Sequence, residues 1–187
     1  MHKIYALFDY KLFLSKDISV KEFADLCYDK KVSIIQYRDK ISSLSKMRDV
    51  IKELREYWKG VLIVNDKIEL VSCCDGLHLG QEDMKKFDKN LQKAANKVRE
   101  EIGDKILGLS THNVKEVLEA NELPLDYIGL GAYRKTSTKE TDNILGNEIE
   151  QIASYSSHPV GAIGGVKLND KIKNITYLVI GSNLYDY

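Results

Sequence analysis

A chain of 187 residues, 43% hydrophobic and 30% charged, suits one domain (1–187) with an ordinary core. Lys plus Arg and Asp plus Glu both number 28, so no overall field draws the chain to nucleic acid or an anionic membrane, and any anion site must be local. No apolar run reaches membrane-spanning length, Met1-His2-Lys3 leads straight into a strand without room for a leader, and Cys27, Cys73 and Cys74 lack metal-ligand spacing, so we expect a soluble protein of the reducing cytoplasm with free thiols.

Lys3 to Phe8 reads as a strand that stops at Asp9. Ser19 can cap a helix whose Val20, Phe23, Ala24 and Cys27 share one face. Val32 to Gln36 is the second strand and runs into Gln36-Tyr37-Arg38-Asp39-Lys40. Leu44, Met47, Ile51, Leu54 and Trp58 recur at helical spacing up to Gly60. Val61 to Val64 are four apolar, mostly β-branched residues, as in a strand covered on both faces, and Asn65-Asp66 follows them. A short helix leads to a fourth strand, Leu77 to Leu79, and then to Gly80-Gln81-Glu82-Asp83.

Beyond Asp83, Met84, Phe87, Leu91, Ala94, Val98 and Ile102 predict the longest helical stripe, stopped by Gly103. Ile106 to Leu109 is a strand ending at Ser110-Thr111-His112-Asn113, and Asn113 with Glu116 resembles a capping box. Tyr127 to Leu130 is a strand before the loop 131–139. A modest helix is predicted over 148–155, a strand over Val160 to Ile163 closed by Gly164-Gly165, a short helix from Asn169 to Ile172, and a last strand over Tyr177 to Ile180. Eight strands alternating with helices, without a break in composition, predict a parallel α/β sheet closed as a (β/α)8 TIM barrel. The barrel is compact, since 187 residues leave about 23 per unit where roughly 250 in all are typical. Only Asn183 to Tyr187 follow the last strand, so the last helix is expected to be missing or truncated. A rearranged terminal segment or a subunit contact, as in a homodimer, would then cover that edge.

Strand C-termini share one rim in such a barrel, which puts Asp66 and Asp83 at one crevice. Two hard oxygen ligands with an open side suit Mg2+ carrying a phosphorylated substrate, although each Asp alone could simply cap the helix after it. The same rim collects Gln36, Arg38, Lys40, Asn65, Ser110, Thr136, Thr138 and Lys139. A guanidinium, an ammonium and a metal on two carboxylates would bind a diphosphate. Gly164, Gly165 and Gly181 offer a separate nest of N–H groups where barrels often hold a monophosphate.

Gln36-Tyr37-Arg38-Asp39-Lys40, Asn65-Asp66, the run from Asp75 to Asp83, Gly108-Leu109-Ser110-Thr111-His112, Thr136-Ser137-Thr138-Lys139 and Ala162-Ile163-Gly164-Gly165 occur in an order and spacing that resembles the thiamine phosphate synthase (thiamine-phosphate pyrophosphorylase) family. The resemblance spans nearly the whole chain. It implies a Mg2+-dependent (β/α)8 barrel that joins a pyrimidine diphosphate to a thiazole phosphate and releases pyrophosphate. It implies Asp66 and Asp83 as metal ligands, and Gln36, Arg38, Lys40, Asn65, Ser110 and Lys139 around the pyrimidine diphosphate. Arg38, Lys40, Ser110 and Lys139 are the catalytic members of that set. Thr136, Thr138, Gly165, Ile180 and Gly181 fall around the thiazole phosphate. No protein nucleophile is needed, because the metal and cations stabilise a leaving group.

Two departures bear on the thiazole-phosphate half. Ala132-Tyr133-Arg134-Lys135 stands where proline and an aromatic are usual, which is expected to add two cations beside the diphosphate. Gly181 stands where serine is usual, with Ser182 displaced by one. Thiazole tautomerase, a relative with the same barrel, is the nearest alternative, with His112 in proton transfer; its Asn-Asp and Gly-Gln-Glu-Asp segments are degraded, whereas here both are intact. A non-catalytic phosphate-binding barrel is the other. His78 is expected to point into the barrel as a hydrogen-bonded structural residue.

Overall fold

In a computed structural model, which describes residues 2–135 and 143–186, the eight expected strands close into one parallel barrel in sequence order. Along the chain these elements are β1 (Lys3–Asp9), α1 (Tyr10–Phe13), α2 (Val20–Asp29), β2 (Val32–Arg38), α3 (Leu44–Tyr57), β3 (Val61–Asn65), a 3-10 helix (Ile68–Cys73), β4 (Gly76–Leu79), α4 (Gln81–Met84), α5 (Leu91–Ile102), β5 (Ile106–Thr111), α6 (Val114–Ala120), β6 (Tyr127–Gly131), α7 (Glu148–Ala153), β7 (Val160–Ile163), β8 (Tyr177–Ile180) and a 3-10 turn (Ser182–Leu184). Closure comes from β1 against β8, with Lys3 opposite Tyr177 and Ala6 opposite Ile180.

Alternation along each strand divides the apolar residues between two cores. Tyr5, Leu7, Ile34, Ile63, Tyr127 and Val179 fill the barrel interior. Their neighbours Ala6, Phe8, Ile35, Leu62, Val64 and Leu178 face the helices, where Phe23, Ile51, Leu54 and Val98 meet them. Side-chain caps start the main helices, at Ser19 and Asn113 as the sequence marks them and at Ser43 and Asn90 besides. Ser19 and Glu22 form a full capping box on α2, and Ser43, Asn90 and Asn113 cap α3, α5 and α6.

The long stripe after Asp83 is not one helix. It breaks into α4 and α5, because Asp88 accepts from Asn90 N–H and Asn90 in turn accepts from Lys93 N–H, an end-capping arrangement that competes with helix through 85–90. The helix expected from Asn169 to Ile172 is also absent, since Asp170 is engaged by Arg134 and by Lys167 N–H instead. After β8 the 3-10 turn buries Leu184 completely and sets Tyr185 6.0 Å from the Phe23 ring, so this segment covers part of the edge left beside β8.

One glycine is there for room. A Cβ on Gly108 would lie 2.2 Å from Cζ of Tyr127, which β6 projects into the barrel beside it. Gly108→Ala is expected to lower stability by about 1–3 kcal/mol through overpacking. Urea unfolding reads this directly, and an unchanged midpoint would mean that the Tyr127 ring moves aside without penalty.

Candidate active site

The strand C-termini surround a cavity of about 210 Å3. Gln36, Arg38 and Lys40 reach it from the end of β2, Asn65 and Asp66 from β3, Gly80 and Asp83 from β4, and Ser110, Thr111 and His112 from β5. Ala132, residues 163–166 and residues 181–183 complete the wall from β6, β7 and β8. Nine of the expected residues therefore meet here: Gln36, Arg38, Lys40, Asn65, Asp66, Asp83, Ser110, Gly165 and Gly181. Ile180 does not line the cavity; its side chain is buried in the helix-side core. Thr136, Thr138 and Lys139 lie outside the described residues.

The run from Gln36 to Lys40 sorts its side chains by strand alternation. Gln36, Arg38 and Lys40 face the cavity, while Tyr37 turns into the helix-side core and Asp39 pins the loop. Asp39 accepts from Tyr37 Oη at 2.8 Å and from the N–H groups of Ile41 and Ser42 at 2.8 and 3.0 Å. Parallel register places Asp9 beside Arg38, and the two form an ion pair. Asp9 also caps α1 by accepting from Leu12 N–H at 3.0 Å. Sequence reasoning had Asp9 only as a strand end, because the partner that matters is 29 residues away.

Lys40 is paired with Asp66, and Lys86 with Asp83 at 2.6 Å. Burial alone would raise the Asp66 carboxyl, but the hydrogen bond and charge of Lys40 and the N–H of Gly80 hold it below the usual carboxylate range. Neither carboxylate caps a helix. Asp66 stands before the 3-10 helix in a left-handed conformation (φ 60°), and Asp83 lies inside α4, whose first residue follows Gly80 without a side-chain cap. The helix-cap reading of these two residues is thereby excluded. Both carboxylates line the same cavity.

His78 is a structural residue of the barrel, as its place in β4 suggests. Its Nδ1 is 2.8 Å from Tyr127 Oη and its Nε2 2.9 Å from Ser110 Oγ. Burial pushes its pKa down to about 4, so the ring is neutral. Ser110 is held from its main chain as well, by Gln81 Nε2 donating to its carbonyl at 2.7 Å. His112 lines the cavity wall with Nδ1 2.9 Å from Glu116 Oε2, a carboxylate that also accepts from His112 N–H at 2.8 Å.

The loop after β6 behaves differently from expectation. Arg134 is no counter-ion for a diphosphate in this structure: it makes a two-pronged pair with Asp170 at 2.7 and 2.9 Å and donates to Gly165 O at 3.1 Å. Its guanidinium also stacks 4.1 Å over the Tyr133 ring. It thus ties the β6 loop to the Gly164-Gly165 turn, where both glycines take positive φ (89° and 62°). Lys135 is exposed and does not line the cavity.

Among the described residues no three His, Cys, Asp or Glu side chains gather into a metal cage. Two carboxylates beside an open cavity are instead the donor set of a cation such as Mg2+, which takes one or two carboxylates and completes its shell with water and substrate phosphates. Asp66 and Asp83 fit that requirement. Tyr5 and Tyr127, two further polar groups just below the cavity, escaped the sequence reading. The signal was parity: Tyr5, Gln36, His78, Ser110 and Tyr127 all occupy inward strand positions, where a narrow barrel ordinarily carries apolar side chains.

Three comparisons with known proteins agree with this geometry. The family model described as thiamine monophosphate synthase matches residues 4–177. The chain is 37% identical to the thiamine-phosphate synthase of Persephonella marina, with 94% of this chain and 80% of that protein covered. It is likewise 37% identical to the thiamine-phosphate synthase of Lawsonia intracellularis, over 88% of this chain and 74% of the other. In fold, it superposes on a thiamine phosphate pyrophosphorylase from Pyrococcus furiosus with a TM-score of 0.75 at 23% identity, covering 96% of this chain and 85% of that one.

Proposed function

The chain belongs to the thiamine monophosphate synthase family, and from that premise we propose that it is a transferase joining hydroxymethylpyrimidine diphosphate to a thiazole phosphate with release of pyrophosphate. The observation that carries this reading is the meeting of Arg38, Lys40, Asp66 and Asp83 on one cavity wall, cations and paired carboxylates together. In the reaction the bond from the pyrimidine methylene carbon to the diphosphate oxygen breaks, and the electron pair leaves with pyrophosphate. The thiazole nitrogen then supplies the pair for the new carbon–nitrogen bond.

Negative charge grows on the departing diphosphate, so groups that bind it better late than early accelerate the step. Arg38, aimed by Asp9, and Lys40 are the described cations in position to do this. Mg2+ held by Asp66 and Asp83 would supply further charge neutralisation when bound. Lys40, which neutralises Asp66 in this structure, would be released to meet phosphate if that carboxylate held a cation. Gln36, Asn65 and Ser110 line the pyrimidine side, and Gly165 and Gly181 the thiazole-phosphate side. Thr136, Thr138 and Lys139 belong to the same proposal as residues of the loop after β6. Ser182, one residue past the usual serine position, also lies on the wall.

The test is direct. Purified protein given both substrates and Mg2+ is expected to form thiamine phosphate and pyrophosphate in equal amounts. The His112–Glu116 pair on the wall favours a second reaction class, proton transfer on a thiazole tautomer. Isomerisation of the carboxythiazole phosphate with no thiamine phosphate formed would replace the synthase reading with that one.

A further inference from the structure

Beneath the cavity floor a single hydrogen-bonded chain crosses the inside of the barrel. Gln36 Nε2 donates to Tyr5 Oη at 2.7 Å, Tyr5 Oη meets Tyr127 Oη at 2.8 Å, and Tyr127 Oη meets His78 Nδ1 at 2.8 Å. His78 Nε2 then meets Ser110 Oγ at 2.9 Å. Tyr5, Gln36, His78 and Tyr127 are almost wholly buried, at 0%, 4%, 7% and 3% exposure. The remaining space among them, about 20 Å3, holds at most one water. Both ends of the chain, Gln36 and Ser110, open onto the active-site cavity.

The protons of such a chain cannot be assigned one at a time. Each tyrosine has one hydroxyl hydrogen and a neutral imidazole has one N–H, so the four links can use every one of those hydrogens in only two ways, running in opposite directions. Running from Gln36, Tyr5 donates to Tyr127, Tyr127 donates to His78 Nδ1, and His78 Nε2–H donates to Ser110. The Ser110 hydroxyl hydrogen and the Gln36 carbonyl oxygen are then left for the cavity. Running the other way, Ser110 spends its hydrogen on His78, and Gln36 turns its NH2 to the cavity. Any mixture leaves a buried hydroxyl hydrogen without an acceptor, or sets two donors or two acceptors against each other, at a cost of about 1–3 kcal/mol.

We propose that Tyr5 and Tyr127 are positioning residues that set, as one unit, the hydrogen-bond polarity which Gln36 and Ser110 present to the substrate ring. The arrangement with Gln36 Nε2 on Tyr5 selects the first direction. The cavity then asks for a ring bearing a donor toward Gln36 and an acceptor toward Ser110. A ring with the reverse pattern must turn over every link at once, so the chain rejects it at both ends together. The proposal rests on the pyrimidine side of the function given above, but its first readout needs no substrate.

Nitrogen-15 spectra of histidine-labelled, ligand-free protein report which ring nitrogen of His78 carries the proton; there are only four histidines to assign. The wild type is expected to show one tautomer, protonated at Nε2, and Tyr127→Phe a mixture. In steady-state assays Tyr127→Phe should raise KM for the pyrimidine diphosphate about tenfold and leave KM for the thiazole phosphate unchanged. Tyr177→Phe is the control, because its ring packs 6.1 Å from both Tyr5 and Tyr127 but stands outside the chain. Should Tyr127→Phe fail to fold, Tyr5→Phe carries the same expectations. A wild-type ring protonated at Nδ1, an unchanged His78 spectrum in the variant, or equal shifts in both KM values would overturn the proposal. If the wild type forms no thiamine phosphate, the function fails, and the histidine spectra alone decide on the chain.

Discussion

Arg38→Ala is expected to lower kcat/KM by about 10²–10³, or ~2.7–4 kcal/mol, the usual effect of removing one group that stabilises charge in the transition state. The loss should fall on the chemical step, since charge on the diphosphate is greatest as it departs. Arg38 is also the partner of Asp9, which is only 6% exposed. Truncation therefore strands a buried carboxylate and should weaken the fold as well. Adding Asp9→Asn separates the two effects. The stranded charge disappears, while an amide oxygen remains to cap α1 at Leu12 N–H. The double variant should recover the melting midpoint and stay slow. Recovery of both would make Arg38 a structural residue. His112→Ala should be much milder in the same assay, since diphosphate departure needs no imidazole. A tautomerase would reverse that order, with His112→Ala abolishing isomerisation and Arg38→Ala sparing it.

Asp66→Asn is the second large effect. The backbone there is left-handed, which asparagine tolerates better than most residues, so the substitution removes charge with little added strain. Lys40 is half exposed, and its loss of a partner should cost little stability. Activity should behave otherwise. Residues that merely support a metal ligand typically contribute 10–100-fold to affinity, and a direct ligand should contribute at least about that much. We expect most turnover to be lost at ordinary Mg2+ and partly regained at high Mg2+, with the same pattern in Asp83→Asn. Turnover against Mg2+ concentration, and calorimetry of Mg2+ with pyrophosphate, both read this. Overlapping Mg2+ curves for wild type and variants would remove these carboxylates from the metal site. Because neither residue caps a helix, melting is not the expected outcome in either case.

The β6 loop changes how the phosphate half is viewed. With Arg134 committed to Asp170, Tyr133 and Gly165 O, its effect is a fastened loop rather than extra charge for a ligand. Its carbonyl contact reaches the turn that carries Gly164 and Gly165, and its partner Asp170 accepts from Lys167 N–H just beyond it. This chain therefore holds that turn by an ion pair.

What the sequence determined by itself is whatever depends on neighbours within a few residues. The run Val61 to Val64, the Ser19–Glu22 box and the glycines after strands report periodicity, local capping and room for backbone. From these the eight strands, their order and the rim that collects Gln36, Arg38, Asp66, Asp83 and Ser110 were all legible. Local competition also explains one of the two misread helices, where Asp88 and Asn90 offered the backbone another set of partners. Tertiary structure alone decided the pairings. Asp9 meets Arg38, Tyr5 meets Tyr127 across 122 residues, and Arg134 meets Asp170 only after barrel closure and strand register bring their side chains to one face. A buried polar group must find a partner, but the choice of partner depends on which strands lie side by side, and sequence spacing holds no record of that. The shape of the strands was local; the charge and hydrogen-bond direction of the site belong to the closed barrel.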